Sequence, residues 1–138
     1  MKAARITYIS TLVTGVLLLF TSLVHLLGIN DTVIALKTGD IARAYEANII
    51  IIWIFSGISF LLLGVWLLFL SRDLAQLRRK AWWQTLLIGL ALAAFGLGCW
   101  IAYPKVFHVL YFFVLGMILV VPLLLFARPF FTKPKTNP

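Results

Sequence analysis

Four apolar runs, from about Ile6 to Leu27, Ala47 to Leu70, Trp82 to Tyr103 and Val106 to Ala127, contain no Asp, Glu, Lys or Arg. Each is as long as the stretch of about 20 residues that a helix rising about 1.5 Å per residue needs to cross a hydrocarbon core. A charge at the bilayer centre costs several kcal/mol, so four uninterrupted neutral runs are what a chain crossing a membrane four times requires. The expected fold is therefore all-α, an integral membrane protein built as a four-transmembrane-helix up-down bundle. These spans consume most of the 138 residues. A single membrane domain is expected, with an outer loop over 28–46, a cytoplasmic loop over 71–81 and a flexible tail over 128–138.

Composition agrees: 63% of the residues are hydrophobic and 12% charged, against about half and about a quarter in soluble domains. The net charge of +8 does not point to nucleic acid, because no basic patch with interleaved aromatics stands apart from the apolar runs. Lys2 and Arg5 precede the first run as in a signal peptide. That run reaches Leu26-Leu27-Gly28-Ile29 without a small-x-small cleavage site and reads as a retained first helix. The one cysteine, Cys99, lies within an apolar stretch, so neither an intrachain disulfide nor a cysteine-rich metal motif is available.

Orientation follows from the loops, since Lys and Arg are retained on the cytoplasmic side during insertion. Nine of the twelve basic residues (Lys2, Arg5, Arg72, Arg78, Arg79, Lys80, Arg128, Lys133 and Lys135) fall at the N-terminus, between the second and third spans, or in the tail. Lys37, Arg43 and Lys105 occupy the other two loops. Both termini are thus expected in the cytoplasm, as in a bacterial inner or plasma membrane. Trp82 and Trp83 beside Arg78-Arg79-Lys80, and Trp100 with Tyr103 at the opposite end, read as interfacial anchors. The cytoplasmic loop carries Arg72, Arg78, Arg79 and Lys80 against Asp73 alone, and is expected to attract anionic lipid.

The outer loop carries three of the four acidic residues and is the one connection long enough for extra structure. Asp31-Thr32 can cap a short helix, and Thr38-Gly39-Asp40 reads as a turn or second cap before a segment through Glu46 that prolongs the second span. Tyr103-Pro104-Lys105 is so short that the third and fourth helices must be antiparallel neighbours. Pro122 predicts a kink in the fourth span.

Between helices in lipid, small and polar residues identify the packed faces. Thr7, Thr11, Thr14, Leu18, Thr21 and His25 recur at alternating steps of four and three residues along one stripe of the first span. Gly89, Ala93 and Gly96 form a comparable stripe in the third, and Gly57 and Gly64 lie seven apart in the second. Ordinary helix packing accounts for all of these, and threonine can also bond to its own backbone.

One polar constellation falls at a common depth near the outer surface: His25, then Tyr45, Glu46 and Asn48, then Tyr103, His108 and Tyr111. Two imidazoles and a carboxylate, His25, His108 and Glu46, match a metal site with an open position. The histidines alone match axial ligation of a haem iron. General acid and base work on a lipid or quinone head group is a third use, with Glu46 fixing a histidine tautomer. The competing account is that these amphipathic residues sit where spans meet head groups, with Glu46 paired to Arg43 or Lys105. Asn48, like Tyr45, Tyr111 and Thr21, then reads as a packing or ligand-contacting polar group.

Absences narrow the field. No span carries an acidic residue near its midplane, which disfavours a small proton-coupled multidrug antiporter. No phosphate loop, nucleophile elbow or zinc-protease helix motif occurs. The expectation is a small polytopic membrane protein, a structural or accessory subunit that binds lipid or another hydrophobic ligand between its helices, with homo-oligomerisation or assembly into a larger membrane complex. The alternative is a membrane enzyme or redox protein with an outer-leaflet His25, Glu46 and His108 site. Cofactor and substrate are not readable.

Overall fold

In hydrocarbon every backbone N–H and C=O must find its partner within the protein, and a helix achieves this within one segment. The computed structural model, which describes residues 2–39 and 43–132, is built this way. Its elements are α1 (Lys2–Leu27), α2 (Ile29–Thr38), α3 (Arg43–Ala75), α4 (Arg79–Ala102), a 3₁₀ turn (Phe107–Val109), α5 (Leu110–Leu125) and a one-turn α6 (Arg128–Phe131). No strand occurs among the described residues. Four helical segments are long and apolar enough to cross a membrane: Ala4–Leu27, Tyr45–Ala75, Arg79–Ala102 and Phe107–Leu125. The chain is an all-α, multi-pass membrane protein.

The helices outrun the charge-free runs. The second span was expected over about 47–70, whereas α3 continues through Ser71, Arg72 and Asp73 to Ala75. Leu74 and Ser71 are buried there while Arg72 is exposed. A long basic side chain at a helix end keeps its head in water without interrupting the backbone. The expected cytoplasmic loop over 71–81 therefore shrinks to Gln76–Arg78. Leu77 closes α3 at φ +55°, with its N–H on the Leu74 carbonyl at 2.9 Å and the Arg78 N–H on the Asp73 carbonyl at 3.1 Å. That bond pattern is a Schellman motif, whose left-handed position is usually glycine. An Arg78–Asp73 ion pair at 2.9 Å spans the same turn.

Between α1 and α3, helix α2 begins at Ile29 rather than after Asp31 or Thr32, leaving Gly28 as the sole break. Asp31 lies in its first turn, where a negative charge favours the helix dipole, and Thr32 bonds the Gly28 carbonyl at 3.1 Å. Asp40, Ile41 and Ala42, on which the expected second cap and turn partly fall, lie outside the described residues, as does the tail from Lys133 onward. The tail expected from 128 starts with α6, which buries Phe130.

The chain divides into two compact units, residues 15–66 and residues 1–14 with 67–138. In the first, α1 meets α3 through glycine. A Cβ added at Gly64 would come 3.0 Å from the Gly15 carbonyl oxygen and 2.9 Å from the Leu19 side chain. Seven residues along each helix, the Ser22 hydroxyl donates to the Gly57 carbonyl at 2.8 Å, and Leu26 covers Gly57. The α3-facing side here takes in Gly15, Leu19, Ser22 and Leu26, next to the expected stripe, of which Leu18 is fully buried and Thr21 and His25 are half-buried. In the second unit the threonine stripe is buried as expected: Thr7, Thr11 and Thr14 are fully covered.

In that second unit α4 and α5 are antiparallel neighbours, as the short connection requires. Trp82 meets Leu123, Gly89 meets Gly116 and Gly96 meets Val109, so the register advances by seven residues on both helices at each step. A Cβ at Gly116 would lie 2.5 Å from both the Ala93 nitrogen and the Gly89 oxygen. Backbones come this close only where side chains are missing. Pro122, expected as a kink, lies inside α5 near its end.

Candidate functional site

His25, in the last turns of α1, is an ionisable side chain held on several sides by its neighbours. Its Nε2 lies 2.7 Å from the Ser56 hydroxyl, and that hydroxyl lies 2.8 Å from the Trp53 carbonyl oxygen. A hydroxyl has one proton, so the Ser56 proton goes either to the Trp53 carbonyl, with Nε2 protonated and donating, or to a bare Nε2. The His25 ring stacks on Trp53 with centroids 3.9 Å apart and planes at 10°, while Phe60 meets it edge-on at 5.9 Å. Trp53 in turn donates its indole N–H to the His25 carbonyl at 2.6 Å.

The arrangement follows from helix periodicity. Trp53, Ser56 and Phe60 stand three and four residues apart on α3 and so share a face. The Gly57 contact with Leu26 and His25 fixes which turn of α1 that face meets. Neither Ser56 nor Trp53 was singled out from the sequence. The signal was present as a polar and aromatic stripe in an otherwise aliphatic run, but its register against α1 was not.

The remaining expected site residues are placed as follows. Tyr45 and Asn48 are exposed and Glu46 is half-buried in the first turns of α3. His108 is exposed in the 3₁₀ turn, beside exposed Tyr103 and Phe107. Tyr111 is half-buried and packs edge-on against Phe112 at 5.5 Å. Thr21 bonds the Leu17 carbonyl at 2.8 Å, within its own helix. Among the described residues no group of three or more His, Cys, Asp or Glu is placed to hold a metal ion. A ligating imidazole nitrogen must offer a lone pair, and Nε2 of His25 already shares a hydrogen bond with Ser56.

A second knot of aromatic side chains occupies the unit of residues 1–14 and 67–138. Trp82, expected as an interfacial anchor, is instead buried at 5% exposure, with its indole N–H on the Leu123 carbonyl at 2.9 Å. Ala127, which would continue the helical ladder to Leu123, bonds Leu124 at 3.4 Å instead, so the indole supplies a donor the helix end lacks. Successive residues on a helix point about 100° apart, and here Trp83 takes the outward position at 47% exposure. Phe131 of α6 packs edge-on against Trp82 at 5.1 Å and carries the Arg79 guanidinium 4.8 Å over its ring. Arg72, Arg78, Lys80 and Arg128 are exposed nearby in sequence.

No protein-family model, curated protein or solved structure matches this chain.

Proposed function

We propose that this protein is an accessory subunit of a membrane complex, acting through its spans rather than through a reaction centre. One observation carries the reading. In the 18-residue apolar stretch that marks the α3 span 11% of the residues are buried, against 28% in the corresponding stretch of each of the other three. Within residues 15–66 the exposed large side chains of α3, which include Ile52, Ile54, Leu61 and Trp66, contain one series, Ile51, Phe55, Ile58, Leu62 and Val65, that alternates at steps of four and three. That spacing is the seam along which one helix interdigitates with another. The occupant is a hydrophobic helix of a partner protein, with lipid or another apolar ligand filling the grooves beside it. By the distribution of basic residues the termini are cytoplasmic, in a bacterial-type inner membrane, and Arg72, Arg78, Arg79 and Lys80 attract anionic lipid there.

The test is photocrosslinking in native membranes from a reactive amino acid at positions 55, 58 and 62, with Leu87 of α4 as the control. One protein adduct of the same mass from all three α3 positions, absent from the control, is expected. Lipid adducts alone at the three positions overturn the reading, and an adduct of twice the chain mass makes the partner a second copy.

A second reading, a membrane enzyme or redox protein using His25, Glu46 and His108, draws support from the 2.7 Å approach of His25 to Ser56. This is within reach for proton transfer. It requires a cofactor band or stoichiometric metal in purified protein, or a phenotype that His25→Ala and His108→Ala both abolish.

A further inference from the structure

A hydroxyl on an apolar helix ordinarily donates to the carbonyl three or four residues earlier, which removes a polar group from its oily surroundings. Many in this chain do so. Thr7 bonds the Ala4 carbonyl at 3.2 Å, Ser10 that of Thr7 at 3.1 Å, Ser59 that of Phe55 at 2.8 Å and Ser71 that of Leu68 at 2.7 Å. Three threonines differ. Among the described residues the hydroxyls of Thr11, Thr14 and Thr85 have no hydrogen-bond partner, although all three residues are completely buried. The carbonyl four residues before Thr11 is that of Thr7, which already accepts from Ser10. The Trp100 indole N–H also lacks a partner, but that residue is only half-buried.

All three threonines belong to the unit of residues 1–14 and 67–138. Thr11 lies seven residues beyond Ala4 and Thr85 six beyond Arg79, where their spans begin. Both thus lie about 10 Å along their helices at about 1.5 Å per residue. On α4, Thr85 shares with Ala81 and Leu92 a buried edge beside the Trp82, Gly89 and Gly96 ridge that α5 covers.

Buried polar groups in folded proteins are almost always satisfied, and internal water is what satisfies those that other side chains do not reach. The occupant of these hydroxyls must be small, neutral, and able both to donate and to accept. A cation is disfavoured because neither span carries a carboxylate. We propose that Thr11, Thr14 and Thr85 hold internal water within the membrane-spanning part of this unit. The ligand class is water, held at each of these hydroxyls.

The experiment uses the full chain in bilayers of deuterated lipid. Magic-angle-spinning NMR reads magnetisation transferred from water to individual side chains, with Ser71, equally buried but bonded to its own helix, as the reference. Transfer to Thr11, Thr14 and Thr85 several-fold above that to Ser71 is expected, and transfer equal to the Ser71 level overturns the proposal. Thr→Val variants at the three positions keep the shape and delete the hydroxyl. Hydroxyls that hold water make each Val variant melt lower, with Ser at the same position restoring part of the loss. Val variants that melt at or above the parent temperature mean orphaned hydroxyls and sink the proposal. Should a Val variant fail to insert, the transfer measurement on the unaltered chain still decides.

Discussion

Replacing Gly96 by alanine tests whether the α4 and α5 backbones are held together by the absence of a side chain. A methyl group at position 96 would meet the Val109 carbonyl oxygen at 2.9 Å and the Phe112 carbonyl carbon at 3.0 Å, with the Phe113 nitrogen closer still. Every colliding atom is backbone, so no rotamer change relieves the overlap. Ordinary contact lies at about 3.5 Å, so the helices must part by about 0.5–1 Å, enough to forfeit a quarter to a half of the dispersion energy of the contacts involved. Overpacking of this kind costs about 1–3 kcal/mol.

Gly98 supplies the internal control. It lies two residues along the same helix, and a Cβ there would meet nothing within 4 Å. Alanine at 98 therefore collects only the helix-propensity gain, at most about 1 kcal/mol. Gly98→Ala is expected to be neutral or stabilising and Gly96→Ala destabilising, a separation of about 1–4 kcal/mol between two chemically identical substitutions. Reversible unfolding in mixed micelles, followed by the intrinsic fluorescence of the five tryptophans, measures it. A Gly96→Ala protein as stable as Gly98→Ala would refute the close approach.

Trp82→Phe keeps an aromatic ring but leaves the Leu123 carbonyl without its indole donor; a loss of about 1–3 kcal/mol is expected in the same unfolding assay, the cost of a buried unsatisfied acceptor. Leu77→Gly removes the penalty of a left-handed backbone at φ +55° and is expected to raise stability by about 1 kcal/mol, read as a higher midpoint in a denaturation titration. Asp73→Asn breaks the exposed Arg78 pair and is expected to cost under about 1 kcal/mol, an effect that a salt titration should erase.

The spans could be read from sequence because lipid imposes one strict demand, the exclusion of charge, and four runs meet it. Their ends could not, because a helix does not stop where charge begins. Arg72 and Asp73 continue α3 with their polar groups directed outward, and the turn that follows uses Leu77 where a glycine would have advertised it. Trp82 and Trp83 looked alike as a pair beside basic residues, yet helix geometry turns one inward and the other outward. For His25 the residue itself was identifiable and its partners were not. Ser56 and Trp53 reach it only because of the register of α3 against α1, and register is a property of two helices that neither sequence segment states alone.

What sets that register is the same in both helix pairs, and it explains why the polar groups lie where they do. Gly15, Gly57 and Gly64 bring α1 and α3 together as Gly89, Gly96 and Gly116 do α4 and α5, with Gly57 and Gly64, and Gly89 and Gly96, seven residues apart. Both pairs also carry a tryptophan whose indole N–H reaches a carbonyl two residues before the partner helix ends: Trp53 to His25 ahead of Leu27, and Trp82 to Leu123 ahead of Leu125. In lipid the hydrophobic effect gives helices little reason to associate. Close backbone packing supplies the attraction, and a directional bond from a rigid side chain fixes the axial position, since a slide of one residue would separate donor from acceptor by about 1.5 Å. His25 is thereby part of the α1 and α3 clasp, with its ring face covered by Trp53 and its Nε2 engaged by Ser56. Removing that ring should loosen the pairing of α1 with α3 before it removes any chemistry, which makes α1 and α3 stability the measurement against which an activity loss in His25→Ala has to be judged.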